Sequence, residues 1–529
     1  MNETNISPGN ITFVGERCGK LINWRHAHQS SLGFFAQPFN WYYIAQIDPG
    51  ASDAFFAAFQ IPDFFYFTIS AGVLGVAFIP FLNDRLQAGD KKGVWDLTNS
   101  LLNVLLIVMA ALGVLIFVFA QPIIHSLFPN MRPENLAQAV TITKLIAFNP
   151  LFFALAGVIT STQQTFGRFF FFAISPLAYN LAIIASLFIF KDSLGVIGLG
   201  VGALAGSILQ LLIALVGMVG LGYKYRWHIG WKNPRLRGML RQLPPRSLDQ
   251  GIDQINSIVE VNRAQTLAVG SVSNYSFAFT LHNVPVMLLG NAIAIAAFPR
   301  LTERLSQGRP DLFKRDFLRI LGVMIWISLP VVVISYFARA YLARMIYGDV
   351  KQEIALIFGF LAAAIFFRIM YSIISRYFYA HKDTKTPLFV SILAIGLNIY
   401  LAFTLASPNA YGVAGLALAQ SIVAGAEVFI LAALIVIRDR HFFSAQFMEV
   451  MIRMLSATGF TIVVAFAMIR FLPLETTDRG FVTLASKLVV ISGVVLGVYL
   501  IVSLMLRLEE PKPVIDRIKR IILKPIKIQ

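Results

Sequence analysis

The sequence predicts an all-α polytopic membrane protein of about fourteen transmembrane helices, arranged as two parallel six-helix repeats followed by two C-terminal helices. Composition, the recurrence of long apolar segments and a duplicated motif predict this fold class. Hydrophobic residues make up 57% of the 529 residues and charged residues only 13%, and the mean hydropathy is +0.71. A soluble globule of this length needs more polar surface, so the chain is expected to lie in a bilayer.

Apolar segments of about 20 residues, the length that crosses a hydrocarbon core, recur along almost the whole chain. The clearest are Ser100 to Ala120, Leu194 to Gly222, Leu388 to Ala406 and Leu484 to Leu506. The first predicted span lies near Leu32 to Ile47.

The net charge of +17 reflects membrane topology, because the basic residues collect in alternate loops. By the positive-inside rule these loops and both termini lie in the cytoplasm, which requires an even number of spans. The same distribution argues against nucleic acid as a partner. The basic loops contain Arg85, Lys91 and Lys92, then Lys224, Arg226, Lys232, Arg235, Arg237, Arg241 and Arg246, and then Arg300, Arg304, Arg309, Lys314 and Arg315.

A duplicated motif indicates an internal repeat. LNDRLQAG at residues 82–89 returns as LTERLSQG at residues 301–308, an offset of 219 positions. AFIPFL, which precedes the first copy, corresponds to AAFPRL, and GVIGL from Gly195 corresponds to GVAGL from Gly412 at an offset of 217. About six spans fill one period, so both copies cross the membrane in the same sense, and the substrate path is expected between the two halves.

The repeat and the basic loops divide the chain into six segments. In the tail, apolar and basic residues recur at helical spacing, which predicts either an interfacial amphipathic helix or a disordered basic tail. The predicted segments are a cytoplasmic N-terminal segment (1–30), a six-helix N-lobe (31–223), a basic cytoplasmic linker (224–247), a six-helix C-lobe (248–440), two additional helices (441–508) and a basic cytoplasmic tail (509–529).

The seventh span carries a polar stripe. Asp249, Asp253, Asn256, Glu260 and Arg263 follow one another at steps of four, three, four and three, which places them on one helix face. Charged side chains in the middle of a bilayer normally face a wet cavity or a partner, so the stripe is expected to line the substrate path. An alternative for Glu260 and Arg263 is mutual neutralisation as an i, i+3 pair.

The second span has a weaker version of this pattern, with Asp53, Gln60 and Asp63 and a kink expected near Pro62. Asp53 fits either an N-cap of its own helix or the lining of the cavity. His282 lies well inside the predicted path and is a candidate for proton coupling. Four further charges inside spans are expected to pack or to reach towards the membrane surface: Lys144, Arg368, Glu427 and Lys487.

Several motifs resemble the MurJ/MviN family of lipid II flippases, within the multidrug/oligosaccharidyl-lipid/polysaccharide exporter superfamily. They occur in order between about residues 30 and 500: DAFFAAFQIPDF, AGVLGVAFIPFL, QIN, GSVS, IAIAAFPRL and YAHKDTKTP. The resemblance implies two lobes, a central cavity open alternately to each side, and transport of an undecaprenyl-pyrophosphate-linked peptidoglycan precursor to the outer leaflet. The two last spans would then form a groove for the lipid tail.

The chain departs from the family where other members carry arginines. Ser30 and Ala36 stand at two such positions in the first span, and Tyr66 and Thr280 stand at two more. A guanidinium binds phosphate oxygens bidentately, and the family's arginines are the expected binding groups for the pyrophosphate. In this chain other residues have to take that role. The candidates are Arg263, His282 and the basic stretch that contains Arg25, His26 and His28.

Arg263 and Glu260 are accordingly expected to form a switch. In the empty state Glu260 would neutralise Arg263, and an incoming pyrophosphate would displace the carboxylate, which would then take up a proton or a sodium ion. No other cofactor is expected.

The predicted function is that of an alternating-access flippase in the bacterial cytoplasmic membrane, acting as a monomer on a lipid-linked glycan among membrane lipids. The alternative is a related exporter of another lipid-linked glycan or of cationic drugs. An integral membrane enzyme is not expected, because the long loop from Tyr223 to Arg246 has no carboxylate and no catalytic cluster is visible.

Overall fold

The computed structural model describes residues 44–71, 78–190, 192–230, 237, 243–348, 352–478 and 480–512. Within these ranges the chain forms α-helices and two short π-helices and no strand, which confirms the predicted all-α class. The first predicted span, the basic stretch at Arg25 to His28 and the tail beyond residue 512 lie outside the described residues. The α-helices are α1 (Pro49–Phe65), α2 (Ile79–Gln87), α3 (Lys91–Leu127), α4 (Pro133–Ile146), α5 (Asn149–Thr165), α6 (Phe170–Phe190), α7 (Val196–Val216), α8 (Leu243–Gln265), α9 (Ser271–Pro285), α10 (Ala292–Ser306), α11 (Pro310–Phe337), α12 (Arg339–Tyr347), α13 (Gln352–Ala380), α14 (Lys385–Leu405), α15 (Ala414–Arg438), α16 (Ala445–Phe471) and α17 (Phe481–Met505).

Eleven helical segments of the described chain are long and apolar enough to cross a membrane. Two of them join consecutive elements, α4 with α5 and α9 with α10. Helix α8 has 23 residues, enough to span, but its polar stripe keeps it out of this count. The total of about fourteen spans therefore stays a prediction.

The duplicated motifs have the same local structure in both copies. Gly89 and Gly308 end their helices with φ angles of 73° and 68°, and Gly195 and Gly412 precede theirs with φ angles of 54° and 55°. These positive φ angles are accessible to glycine at little cost, which explains the glycine in each copy. The segments with Pro62 and Pro285 also match, since one π-helix follows α1 at Tyr66–Ala71 and the other follows α9 at Val286–Asn291, while the kink expected near Pro62 stays a prediction.

The described helices fall into two compact units. Among the described residues, the first comprises those within Ala57–Pro129 and Pro133–Gln254, and the second comprises Ile44–Phe56, Asn130–Arg132 and those from Ile255 to Lys512. The boundary at residues 254 and 255 lies inside α8, whereas the sequence places the lobe boundary in the basic linker before it. The predicted superposition of the two halves stays a prediction.

Within the first unit, α6 and α7 pack closely along a glycine face of α7. Gly198, Gly202 and Gly206 recur every four residues, and each faces a residue of α6. A Cβ at Gly206 would lie 2.9 Å from the backbone oxygen of Tyr179. Small residues at such spacing allow membrane helices to approach closely, because lipid supplies no hydrophobic force that would drive them together.

Gly206→Leu is expected to destabilise the protein by about 1–3 kcal/mol, because the added side chain must push α6 away. The measurement is thermal unfolding of the detergent-solubilised chain. Gly497→Leu on α17 is the matched control, since a Cβ there meets no atom within 4 Å. An equal loss of stability in both variants would contradict the close-packing interpretation.

In the second unit, α13 is the central helix and packs against α9, α11 and α15. Helices α16 and α17 pack on each other and on α11 and α12. The Trp326 indole on α11 donates to Ser503 Oγ at 3.0 Å, and the Tyr499 hydroxyl donates to the Trp326 carbonyl at 2.9 Å. Helix α17, one of the two outside the repeat, is therefore joined to α11 by polar as well as apolar contacts.

Candidate functional site

A buried carboxylate, that of Glu260 on α8, lies at the centre of a polar cluster in the second unit. Only 4% of this residue is accessible. Its Oε1 accepts hydrogen bonds from Asn256 Nδ2 (3.1 Å), Asn398 Nδ2 (2.5 Å) and Gln420 Nε2 (2.5 Å), and its Oε2 accepts from the Tyr275 hydroxyl (2.9 Å). These five residues, called here the Glu260 cluster, come from α8, α9, α14 and α15.

The donors to Glu260 are neutral, so they solvate the carboxylate without neutralising it. A buried charge without a counterion is costly even when it is hydrogen-bonded. Asn256 also accepts a hydrogen bond from Asn398 Nδ2 at 2.8 Å, which ties α8 to α14 a second time. At Asn256 and Glu260 the predicted stripe contacts polar side chains of α9, α14 and α15, and its role in lining the substrate path stays a prediction.

The Glu260 cluster continues into a membrane-embedded ion pair. Gln420 Oε1 accepts from Arg368 Nη2 at 3.2 Å, and Arg368 Nη1 donates to Glu427 Oε2 at 3.0 Å. Ser391 Oγ donates to the other oxygen of Glu427 at 2.8 Å. Two carboxylates and one guanidinium are therefore connected, and the addition of one monovalent cation would balance their charge.

Arg263 makes no ion pair with Glu260, so the expected pair and the switch built on it are wrong. The Arg263 guanidinium lies 5.3 Å from the ring centroid of Phe403 and donates long hydrogen bonds to Thr266 Oγ1 (3.4 Å) and the Phe403 carbonyl (3.5 Å). A step of three residues leaves side chains about 60° apart around a helix. Glu260 points to its amide and phenol donors, while Arg263 points to the end of α14.

Asp53 caps a helix, although not its own. Its oxygens accept from the backbone N–H of Gly270 (2.7 Å) and of Ser273 (2.8 Å), at the start of α9. The residue that caps α1 is Asp48, whose carboxylate accepts from the Ala51 N–H at 3.1 Å. The expectation that Asp53 caps its own helix is therefore wrong, because α1 begins four residues earlier, at Pro49.

Asp53→Ala is expected to cost about 1–2 kcal/mol, because two buried N–H groups at the positive end of α9 lose their acceptor. Asp53→Asn keeps an acceptor and should cost less. Thermal unfolding in detergent measures both, with the exposed Asp192→Ala as the control. If Asp53→Ala unfolds at the parental temperature, the cap contributes nothing to stability.

The other predicted site residues are not members of the Glu260 cluster. Gln60 and Asp63 belong to the first unit and are half-buried, and Asp253, also in that unit, is exposed. His282 on α9 is 3% accessible, and its ring lies close to the backbone of Ala364 on α13. The ring packs 5.4 Å from that of Phe279. The roles of these four residues in the substrate path stay predictions.

Sequence reasoning found Asn256 but missed the three other partners of Glu260. Tyr275, Asn398 and Gln420 are uncharged residues of apolar helices and give little signal of their own. Arg368 and Glu427 were noted as single charges, whereas the structure pairs them across α13 and α15. Each is costly alone in a membrane, so pairing of the two could have been expected from that cost.

Comparison with known proteins identifies the family. A sequence profile of the family described as lipid II flippase MurJ matches residues 49–502. The chain belongs to the MurJ family. A probable lipid II flippase MurJ of Borreliella burgdorferi is 26% identical over 393 residues, which cover 73% of this chain and 76% of the relative. One of Vibrio cholerae is 27% identical over 403 residues, which cover 70% and 74%.

Solved structures agree with this family in fold. A lipid II flippase MurJ in an inward closed conformation matches with a TM-score of 0.71 and 22% identity, over 90% of this chain and 98% of that one. An inward-facing multidrug resistance MATE family transporter of the MOP superfamily matches with a TM-score of 0.66 and 17% identity, over 78% and 96%. At these identities the likeness shows the fold. Membership of a flippase family agrees with the expectation of a transporter rather than an enzyme.

Two of the positions at which the resemblance implies an arginine, Tyr66 and Thr280, are visible in the structure. Tyr66 begins the first π-helix and packs edge-on against Phe153, with ring centroids 5.6 Å apart. The Thr280 hydroxyl donates to the Ser276 carbonyl at 3.0 Å. Neither residue is a cation, so any positive charge that binds a phosphate ligand has to come from elsewhere in the chain.

Proposed function

We propose that this chain is an alternating-access flippase that moves lipid II from the inner to the outer leaflet of the bacterial cytoplasmic membrane. The observation that carries the proposal is the family match over residues 49–502. The repeated local structure supports it, because each unit has a π-helix that directly follows an α-helix, and π-helical turns are places where membrane helices can bend.

Export of cationic drugs is the less favoured alternative. A drug exporter needs free carboxylates in its cavity, and the sequence offers Asp53, Asp253 and Glu260 for that role. In the structure Asp53 is used as a helix cap and Glu260 is enclosed by four donors. A related flippase for another lipid-linked glycan shares the proposed mechanism and differs only in its substrate.

The Glu260 cluster is proposed as the site of the coupling ion, a proton or Na⁺. The carboxylate, amide and phenol groups of the cluster carry hard oxygen ligands for such a cation. The Arg368 guanidinium connects the cluster, through Gln420, with Glu427. A monovalent cation at Glu260 would balance the charge and remove the cost of the buried carboxylate. No group of three or more His, Cys, Asp or Glu side chains in the described chain could hold a divalent metal.

The proposed orientation places both termini in the cytoplasm, and the protein is proposed to act as a monomer without nucleic acid. The basic turns that follow α2 and α10 then contact the anionic inner surface. Reactivity of single cysteines towards a membrane-impermeant reagent tests the orientation. Cysteine at Lys92 should react only after the membrane is opened, and cysteine at Ser407 should react in intact cells.

The function is tested by expressing the chain in bacteria depleted of their own lipid II flippase. Restored growth, together with translocation of lipid II in proteoliposomes, is the expected result. A cell that lyses although the chain is inserted in its membrane, with no translocation in vesicles, would exclude lipid II as the substrate. Translocation of a different lipid-linked glycan in the same vesicles would then identify the alternative.

A further inference from the structure

An arginine of α13 has no polar partner among the residues that the structure describes. Arg376 is half-buried, its Nε atom is sealed from solvent, and no described group accepts a hydrogen bond from its guanidinium. Its Cζ lies 5.4 Å from the ring centroid of Phe298 on α10 and 5.6 Å from that of Tyr379. The two rings stabilise the cation but accept no in-plane hydrogen bond, so the N–H groups at the edge of the guanidinium remain available.

The carboxylates on the elements around Arg376 are engaged with other groups. Asp316 on α11 accepts from Arg300 and Arg304, and Asp383 after α13 accepts from Arg438 and Thr386. Glu427 on α15 is paired with Arg368. The described part of the second unit thus gives Arg376 no counterion, although an unpaired cation at this burial is costly.

The position of Arg376 along α13 corresponds to the depth of lipid phosphates. It lies four residues, about 6 Å, before the end of α13 at Ala380. The turn that follows contains His381 and Lys382, and Lys385 begins α14. The positive-inside rule places such a basic turn in the cytoplasm. The headgroup layer on each side of a bilayer is itself about 5–7 Å thick.

We propose that Arg376, held between Phe298 and Tyr379, binds the phosphate group of a membrane lipid on the cytoplasmic side, and that this lipid is the pyrophosphate-linked substrate. The planar guanidinium donates two parallel hydrogen bonds to phosphate oxygens, and the bound anion supplies the missing counterion. The choice of ligand rests on the proposed function, while the phosphate site rests on the surroundings of Arg376.

The test is lipid binding to the detergent-solubilised full chain, followed by native mass spectrometry. The probes are undecaprenyl pyrophosphate, phosphatidylglycerol and undecaprenol, which has the tail without phosphate. Arg376→Ala should weaken binding of undecaprenyl pyrophosphate at least about tenfold. Arg376→Lys should weaken it less, because a lysine ammonium keeps the positive charge but cannot donate the two parallel hydrogen bonds of a guanidinium. Undecaprenol should bind all variants equally.

Arg470→Ala is the matched control, because Arg470 is an exposed arginine 5.4 Å from the Phe466 ring on α16. It should bind all three probes as the parental chain does. If Arg376→Ala weakens binding of phosphatidylglycerol only, Arg376 binds the phosphate of bulk membrane lipid, and the proposal that its ligand is the pyrophosphate-linked substrate is overturned. If both phosphate lipids bind Arg376→Ala with parental affinity, the proposal is overturned.

The site and the function fail in different ways. A parental chain that does not translocate lipid II, but loses pyrophosphate affinity in Arg376→Ala, refutes the function and keeps the site. A chain that translocates lipid II equally well with and without Arg376, at unchanged affinity, keeps the function and refutes the site. Thermal unfolding of each variant identifies loss of fold as a cause, and Arg376→Lys provides a folded comparison.

Discussion

Glu260→Gln is expected to leave the chain folded and inserted while lowering lipid II transport at least about tenfold and removing its dependence on an ion gradient. The glutamine has nearly the same shape, so α8, α14 and α15 still meet at this residue. It carries no charge and cannot take up a coupling cation, and its amide group meets donors where the carboxylate oxygens accepted them. The conformational cycle then has no ion-dependent step to drive it.

Glu260→Ala should have a larger effect, because several buried donors lose their acceptor at a cost of about 1–3 kcal/mol each. Transport is measured in proteoliposomes with imposed proton or sodium gradients, and stability by thermal unfolding. Glu303→Ala is the control, since Glu303 is exposed and bonded only to Gln307 one turn away. Gradient-dependent transport at the parental rate by Glu260→Gln would remove Glu260 from the coupling mechanism.

The sequence was sufficient for the features that depend on local pattern. Hydropathy predicted the helices, and the repeated octet predicted two equivalent segments. In the structure the turns that end these segments have matching glycine φ angles. The polar stripe singled out α8, and steps of three and four put Asn256 and Glu260 on one face.

The sequence was insufficient for the contacts that depend on which distant helix packs where. Asn398 and Gln420 reach Glu260 from 138 and 160 residues along the chain, and Asp53 caps a helix 217 residues away. Spacing along one helix predicted an ion pair of Glu260 with Arg263. In the structure Glu260 instead accepts hydrogen bonds from neutral side chains, because a buried carboxylate bonds to the donors that the neighbouring helices place beside it.

Arg368→Met is expected to cost about 3 kcal/mol, because Glu427 then remains buried without its counterion. Glu427 is 3% accessible, and its remaining described donor is the Ser391 hydroxyl. The Arg368 side chain is 31% accessible, so water weakens the pair and the cost should lie at the low end of the range for buried ion pairs. Transport should fall as well, because Gln420 loses the donor that fixes its amide against Glu260.

The double variant Arg368→Met/Glu427→Leu should recover most of the stability lost in Arg368→Met, because both charges are then absent and the packing is apolar. Its transport should stay low if Arg368 acts by orienting Gln420 towards Glu260, which separates that role from a purely structural one. Arg453→Met is the control for removing an arginine from an exposed pair, that of Arg453 with Glu449, and should cost less than about 1 kcal/mol. Unfolding measured for the two single variants and the double variant completes the cycle. Stability losses that simply add would mean that Arg368 and Glu427 do not stabilise each other, and the chain of contacts from Glu427 to Glu260 would then have no energetic basis.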